Sequence, residues 1–326
     1  MNCFLNTCNR RLLQAGIAAT ALMLGISQAA AADLVKASKS VAEGFGFSLI
    51  DVGDEVGIFK KHGIELETTT FGGGGKQMQA LSAGAVDIAL GSGASMVVIA
   101  KGAPAMTVAE WAGPPLSMAL ITTPDSPIKT LADLKGKRIA VTSATSLTAW
   151  LARQVAFRQG WDNDAVKVVP MGGTNAAFAG VVAGNADALV ASNEFALPLE
   201  AVGRARVVRV FGDFIKDYTT HVVFASDKMI KERPDVLRRF LAAWFETIAW
   251  AKQNRDKTIE IASRVIKIKP ELTAKIYDNQ MSMFYTDGHF RPKNIAVMKA
   301  SFVERGQLKK EPSDKELFTE EFLPKK

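Results

Sequence analysis

Two stretches of this chain, 100 residues apart, spell nearly the same structural phrase. Phe71-Gly72-Gly73 leads, through a short helical segment, to Ala83-Gly84-Ala85-Val86-Asp87-Ile88-Ala89-Leu90. Met171-Gly172-Gly173 leads, at the same offset, to Ala183-Gly184-Asn185-Ala186-Asp187-Ala188-Leu189-Val190. Each copy reads as a glycine loop, a helix, a glycine suited to the left-handed cap position, and an apolar strand. Upstream, Ile58-Phe59-Lys60-Lys61-His62-Gly63 before strand 64–69 is matched by Ala156-Phe157-Arg158-Gln159-Gly160 before strand 166–169. Two similar β/α halves predict two domains, with a cleft between them where a ligand would sit.

The rest of the pattern agrees. Strands are expected at 34–37, 86–90, 106–109, 116–122, 138–142, 187–190 and 207–210, alternating with short helices over 52–61 and 76–83; Gly44 to Phe47 reads as loop. Such alternation points to doubly wound α/β sheets. Pro124-Asp125-Ser126-Pro127 reads as a crossing point, and Tyr218 to Ala225 as a return strand. Beyond it Pro234 opens a long amphipathic helix with Leu237, Phe240, Leu241, Trp244, Phe245 and Ile248 at three- and four-residue steps, which periodicity assigns to the core. Further helices fit 256–266, 271–280 and 293–304. The expected division is lobe 1 at 33–121 and 224–326, and lobe 2 at 122–223. About 294 residues suit two domains better than one core.

The first 32 residues carry no acid, a basic pair at Arg10-Arg11, an apolar run from Leu12 to Ile26, and small residues ending in Ala29-Ala30-Ala31-Ala32. That is the layout of an export signal cleaved near Ala31 or Ala32. The run falls short of the roughly 20 apolar residues of a spanning helix. Arg10-Arg11 raises twin-arginine export, but its flanks suit the ordinary route better. Both cysteines, Cys3 and Cys8, precede the run, so the expected mature chain has no disulfide, no thiolate nucleophile and no cysteine-held metal. Without the two arginines 38 basic residues face 33 acidic ones, scattered along the chain, which argues against nucleic acid as a partner.

Catalytic motifs are missing. Gly72-Gly73-Gly74-Gly75-Lys76 resembles a phosphate loop, but Thr70 stands where its first glycine belongs and Gln77 where a magnesium-binding hydroxyl is needed. The run is better read as permissive backbone at a cleft rim. His62, His221 and His289 have no metal-ligand spacing, and no nucleophile elbow occurs. What remains is four polar loops at strand ends: Ser38 to Glu43, Gly91 to Ser95, Thr142 to Ser146, and Ser192-Asn193-Glu194. In open α/β sheets ligands sit beyond the carboxyl ends of the strands, so these loops are expected to converge. Thr145-Ser146 would also cap a helix whose N–H groups attract an anion. Asp87 and Asp187 read as structural, each satisfying backbone N–H groups at the mouth of a strand.

These motifs together make the chain resemble a periplasmic substrate-binding protein of an ABC transporter, in the nitrate/sulfonate/taurine branch. The marks are Glu55-Val56-Gly57-Ile58-Phe59 with Gly63-Ile64-Glu65-Leu66-Glu67, Gln79-Ala80-Leu81 through Asp87-Ile88, Leu131-Ala132-Asp133-Leu134-Lys135-Gly136-Lys137 into strand 138–142, and Gly184 to Ala188. The resemblance implies the type II periplasmic-binding-protein fold: two doubly wound α/β lobes joined by two crossing segments, here near 120–127 and 219–226. It implies a monomer that closes on a small-molecule solute and delivers it to an inner-membrane permease, with no cofactor, metal or catalysis. Carried over by position, the solute contacts are Ser40, Glu43, Phe45, Gly74, Ser92, Thr145, Ser146, Asn193 and Glu194. Phe45, Phe47, Trp111 and Phe195 would wall an apolar portion, Trp111 being equally at home in the core.

The solute expected is a small organic anion or zwitterion such as a sulfonate. Glu43 and Glu194 oppose a simple inorganic anion, since buried carboxylates repel one, and Glu194 suggests an amine, amide or hydroxyl. The alternatives are a neutral or aromatic heterocycle such as a thiamine pyrimidine precursor, or an enzyme on the same fold related to pyrimidine synthases. A ligand-sensing regulator is disfavoured because no DNA-reading helix-turn-helix precedes the first lobe. If the leader is removed on export, intact mass of the protein recovered from its native compartment should correspond to a chain starting within a few residues of Ala32. A mass retaining Arg10 and Arg11 would refute cleavage.

Overall fold

A computed structural model describes residues 32–142, 144 and 146–325; the leader and its cleavage site, and Thr145, lie outside them. The first lobe begins β1 (Asp33–Lys39), α1 (Phe45–Glu55), α2 (Ile58–Lys61), β2 (Ile64–Thr70), α3 (Gly74–Ser82), β3 (Ile88–Ser92), α4 (Met96–Ala100) and β4 (Ala105–Ala112). The second holds β5 (Met118–Thr122), β6 (Arg138–Val141), α5 (Leu147–Arg158), β7 (Lys167–Pro170), α6 (Thr174–Val182), β8 (Ala188–Ser192), α7 (Asn193–Ala201) and β9 (Arg206–Val210). The chain returns through β10 (His221–Ser226), α8 (Asp227–Glu232), α9 (Pro234–Gln253), α10 (Arg255–Ile266), α11 (Pro270–Gln280), α12 (Pro292–Glu304) and α13 (Asp314–Leu317).

The two sheets are ordered β2-β1-β3-β10-β4 and β7-β6-β8-β5-β9. They are one topology built twice. β1 pairs in parallel with β2 and β3, as β6 does with β7 and β8. In each sheet the fourth strand, β10 or β5, runs antiparallel to both neighbours. The repeated phrase explains the match. Gly84 and Gly184 adopt the left-handed conformation, at φ +71° and +75°, that ends α3 and α6. Asp87 and Asp187 then pin the neighbouring strand, accepting from Lys36 N–H at 3.0 Å and Arg138 N–H at 2.7 Å, while their own N–H groups bond to Lys36 and Arg138 carbonyls. The structural reading of both aspartates holds. Arg138 also holds Asp187 below the usual carboxylate range through its side-chain hydrogen bonds.

The two halves differ from expectation at the crossings. Because β5 already belongs to the second sheet, the chain crosses at 113–117, before Pro124-Asp125-Ser126-Pro127, and returns along 211–220, before β10. The crossing segments run side by side: Thr220 N–H bonds to Ala112 O at 2.9 Å, its hydroxyl to Gly113 O, and Gly212 N–H to Pro115 O at 3.1 Å. The 52–61 helix is also redistributed. Gly57, at φ +79°, breaks it, and α1 instead starts at Phe45, inside the expected loop, because Phe45 and Phe47 are drawn into the core.

The core of the first lobe is formed where α1, α9 and α10 cover the sheet. It includes Phe45, Phe59, Trp111, Phe240, Trp244 and Phe284, so the aromatic stripe of α9 is core. A second apolar cluster is continuous across the crossings: Trp150 of α5 stacks on Tyr218 at 4.0 Å, and Phe224 and Phe302 belong to the same cluster. His62 bonds Glu246 of α9 at 2.8 Å, a structural contact. Among the described residues no helix is long and apolar enough to cross a membrane.

Two expectations follow from this packing. A Cβ on Gly93 would lie 2.1 Å from the Thr219 carbonyl oxygen and 2.7 Å from Met298 Cε. Gly93→Ala should therefore lower unfolding free energy in urea by about 1–3 kcal/mol; an unchanged midpoint would refute the close approach. Glu110 on β4 is fully buried, accepting from Asn294 Nδ2 at 2.8 Å and Arg291 N–H at 2.7 Å, and burial raises its pKa from 4.5 to about 7. A raised acid contributes stability that is complete below its unfolded value and is lost as pH rises through about 7. Stability should fall across that window by up to about 3 kcal/mol. Glu110→Gln should flatten the profile, and an unaltered slope in that variant would exclude Glu110 as its source.

Candidate functional site

The carboxyl ends of β1, β3 and β8, with the start of antiparallel β10, face the line where the two lobes meet. Glu194 marks that line. It is the second residue of α7, and its side chain reaches from the second lobe to the first residue of α1, where Oε1 accepts from Phe45 N–H at 2.9 Å. Gln280, at the end of α11, donates its Nε2 to the same oxygen at 3.0 Å. α7 packs on α11, and Leu197 of α7 lies against the first-lobe core.

Local structure sets each partner. Helix α1 follows Gly44, which has no side chain to cap it; the Phe47 N–H turns to the Gly44 carbonyl, and the Phe45 N–H must find an acceptor elsewhere. The ring of Phe45 is fully buried, 6.0 Å edge-to-face from Tyr277 and 6.3 Å from Phe284. Tyr277 stands three residues before Gln280, so the contact that seats Phe45 also brings the last turn of α11 beside Glu194.

The electrostatics are unusual. Glu194 is only 5% exposed and Gln280 1%. Burial pushes the Glu194 carboxyl above the usual range, opposed by the Phe45 N–H, its own N–H, Gln280 and the Ser192 hydroxyl. Glu194 Oε2 and Gln280 Oε1 have no hydrogen-bond partner. Both unmet atoms are acceptors, so this spot calls for a donor.

The other expected contacts divide. Ser40 is buried and its carbonyl accepts from Gly73 N–H at 2.8 Å. Ser92 caps the turn after β3, accepting from Ala94 N–H at 3.2 Å, and Ser146 caps α5, accepting from Ala149 N–H at 3.2 Å and bonding Thr148 Oγ1 at 2.7 Å. Gly74 opens α3 with Ser95 Oγ 2.9 Å from where its Cβ would be. Asn193 turns to the first crossing segment, donating to Leu116 O at 2.7 Å, which accounts for its side-chain amide structurally. Glu43 is exposed on the surface, apart from the buried pair. Phe45 contributes its N–H rather than its ring, because the ring is locked in the aromatic core. Phe47 and Trp111 are likewise buried, and Phe195 is partly exposed against Phe178 at 5.7 Å. A hollow of about 400 Å³ lined by Thr123, Pro124, Phe178, Val182 and Arg204 lies at the opposite end of the second sheet.

Two participants were not anticipated. Gln280 carries no sequence signal, because only the packing of α11 on α7 brings it here. His221 begins β10 opposite Ser92, stacks on Trp111 at 4.7 Å, and lies edge-on to Phe47 at 4.9 Å. Burial pushes its pKa down to about 3, so the imidazole is neutral, and its Nδ1 has no partner. Its position at the head of a return strand was the available signal.

With this geometry in hand, the likenesses to known proteins fall into place. Residues 46–258 match the family model described as NMT1/THI5 like. A candidate binding protein of Brucella abortus is 26% identical over 234 residues, covering 70% of each chain. The structure of the periplasmic aliphatic sulphonate binding protein of Escherichia coli aligns with a TM-score of 0.72 at 18% identity, over 88% of this chain and 92% of that one. The desulfurization enzyme DSZB, complexed as a mutant with biphenyl-2-sulfinic acid, aligns with a TM-score of 0.64 at 17% identity, over 89% and 97%. At such identities the structural likeness speaks for the fold, and one fold serves both a binding protein and an enzyme. The family match covers most of the described chain: this protein belongs to the NMT1/THI5-like family and has the two-lobed fold of periplasmic binding proteins.

Proposed function

We propose that this protein is the solute-binding component of an ABC importer: exported to the periplasm, monomeric, holding one small organic solute between its lobes and handing it to an inner-membrane permease. The observation that carries the reading is the buried Glu194–Gln280 pair, which joins the two lobes with two acceptors unmet. Such a pair favours a solute with an N–H donor, an amine above all, because the donor compensates a desolvated carboxylate. A zwitterion suits the rest of the face. Its anionic end would go to the N-terminus of α5, where Ser146 is the cap, since helix N-termini attract negative charge. The sulphonate binder among the structural neighbours supports an acidic group of that kind.

A second reading has its own observation. The neutral His221 stacked on Trp111 offers a flat, partly exposed surface beside Ser92, which fits an amino-substituted aromatic heterocycle. In both readings the protein binds and releases without turnover; the described residues contain no cysteine nucleophile.

The test is a thermal-shift panel of taurine, alkanesulfonates without an amine, nitrate, aromatic acids and aminopyrimidines, followed by calorimetry. Ligand at 100 times its Kd stabilises the native state by about 2.7 kcal/mol, a clear rise in Tm. Taurine-like solutes should outperform their amine-free counterparts, and aminopyrimidines should do so if the second reading is right. Steady conversion of a compound, with none in the panel stabilising the protein, would overturn the carrier reading.

A further inference from the structure

We propose that Glu194 is a resident occupant of the anion position at the N-terminus of α1, a specificity-determining residue that closes this end of the cleft to anionic headgroups. The inference rests on the carrier reading above for the location of the solute.

An eleven-residue helix preceded by a glycine without a capping side chain leaves its first N–H open to an anionic partner, and that N–H is turned to the second lobe. In this chain the second lobe fills it. Glu194, 149 residues from Phe45 in sequence, sets Oε1 on the first N–H of α1, and Gln280 adds a second donor to that oxygen. This is the arrangement a bound carboxylate would make, formed with a side chain of the protein itself. The atoms left over decide the selectivity. Glu194 Oε2 and Gln280 Oε1 are both buried acceptors without partners. An anion arriving here would find the Phe45 N–H and Gln280 Nε2 already bonded to Glu194 and would face its remaining carboxyl oxygen in a dry environment. A solute with an N–H donor would meet two acceptors.

The position also links solute capture to closure. One carboxyl oxygen joins the lobes and the other is buried beside it without a partner, so a solute donor that reached Oε2 would act on the group that holds the lobes together. A donor on Oε2 compensates a carboxylate that is already ordered by its interlobe bonds, which favours the closed arrangement.

The experiment measures binding of inorganic sulfate, at constant ionic strength against chloride, to wild type, Glu194→Ala and Glu194→Gln. Removing the side chain frees the Phe45 N–H and Gln280 Nε2 together, so Glu194→Ala should gain saturable sulfate binding about tenfold or more tighter than wild type. Glu194→Gln should not gain it, because its amide oxygen re-caps Phe45. No gain in the alanine variant, or an equal gain in both, would overturn the proposal. If Glu194→Ala does not fold, Glu194→Ser serves the same comparison. Hydrogen exchange of the wild type needs no variant: strong protection of the Phe45 amide supports its occupancy, and free exchange refutes it. A wild type that binds nothing in the solute panel would count against the carrier reading and leave the sulfate comparison intact.

Discussion

Each sheet of this protein is completed by a strand that runs against its neighbours and reaches its place by crossing between lobes. β10 enters the first sheet between β3 and β4, and β5 enters the second between β8 and β9. Neither sheet closes its hydrogen bonds without that strand, and interior strand backbone left unpaired is costly. The two crossings must therefore lie together, at 113–117 and 211–220, and the loops at the carboxyl ends of both sheets must face each other across them. Gly93, seated directly on the Thr219 carbonyl, and Asn193, bonded to the Leu116 carbonyl, fasten those loops to the crossings from opposite lobes.

Within that frame a single carboxylate defines the interlobe face. The helix that starts at Phe45 brings a partial positive charge to the junction, with no capping side chain of its own. Glu194 meets it from the other lobe. The interaction is charge-assisted and shielded from water, which strengthens it, while the desolvation of the carboxylate opposes it. Oε2 remains a buried atom of this junction without a partner. The bond that spans the lobes and the unmet oxygen thus belong to one residue.

The duplicated phrase made much of the fold legible. Cap glycines at 84 and 184 and the aspartates three residues later recur because identical local problems, ending a helix and pinning a strand, have the same short-range solution. The α9 stripe was legible for a similar reason, since a period of three to four residues reports a buried helix face. The start of α1 was not. Gly44-Phe45-Gly46-Phe47 reads as loop by propensity, and becomes helix because the Phe45 ring is buried against Tyr277 and Phe284, the Phe47 ring against Trp111 and His221, and its first N–H is capped from 149 residues away. The crossing point moved for a related reason: prolines 124 and 127 punctuate the chain locally, whereas strand pairing decides which sheet Met118 to Thr122 joins.

The candidate site divides in the same way. Glu194 stands out in the sequence because an acidic residue replaces the Gly/Ser loop where the two copies stop matching, whereas Phe45 came only from the family resemblance. The exposure of Glu43, the turn of Asn193 toward the crossing segment, and the arrival of Gln280 and His221 depend on contacts far apart in the chain. The sequence by itself determined a twofold α/β architecture and the residues that punctuate it, because these rest on interactions within a few residues. Only the tertiary structure decided which polar groups meet at the junction and which of them keep unsatisfied atoms, because burial and hydrogen-bond geometry are properties of the packed lobes rather than of any segment.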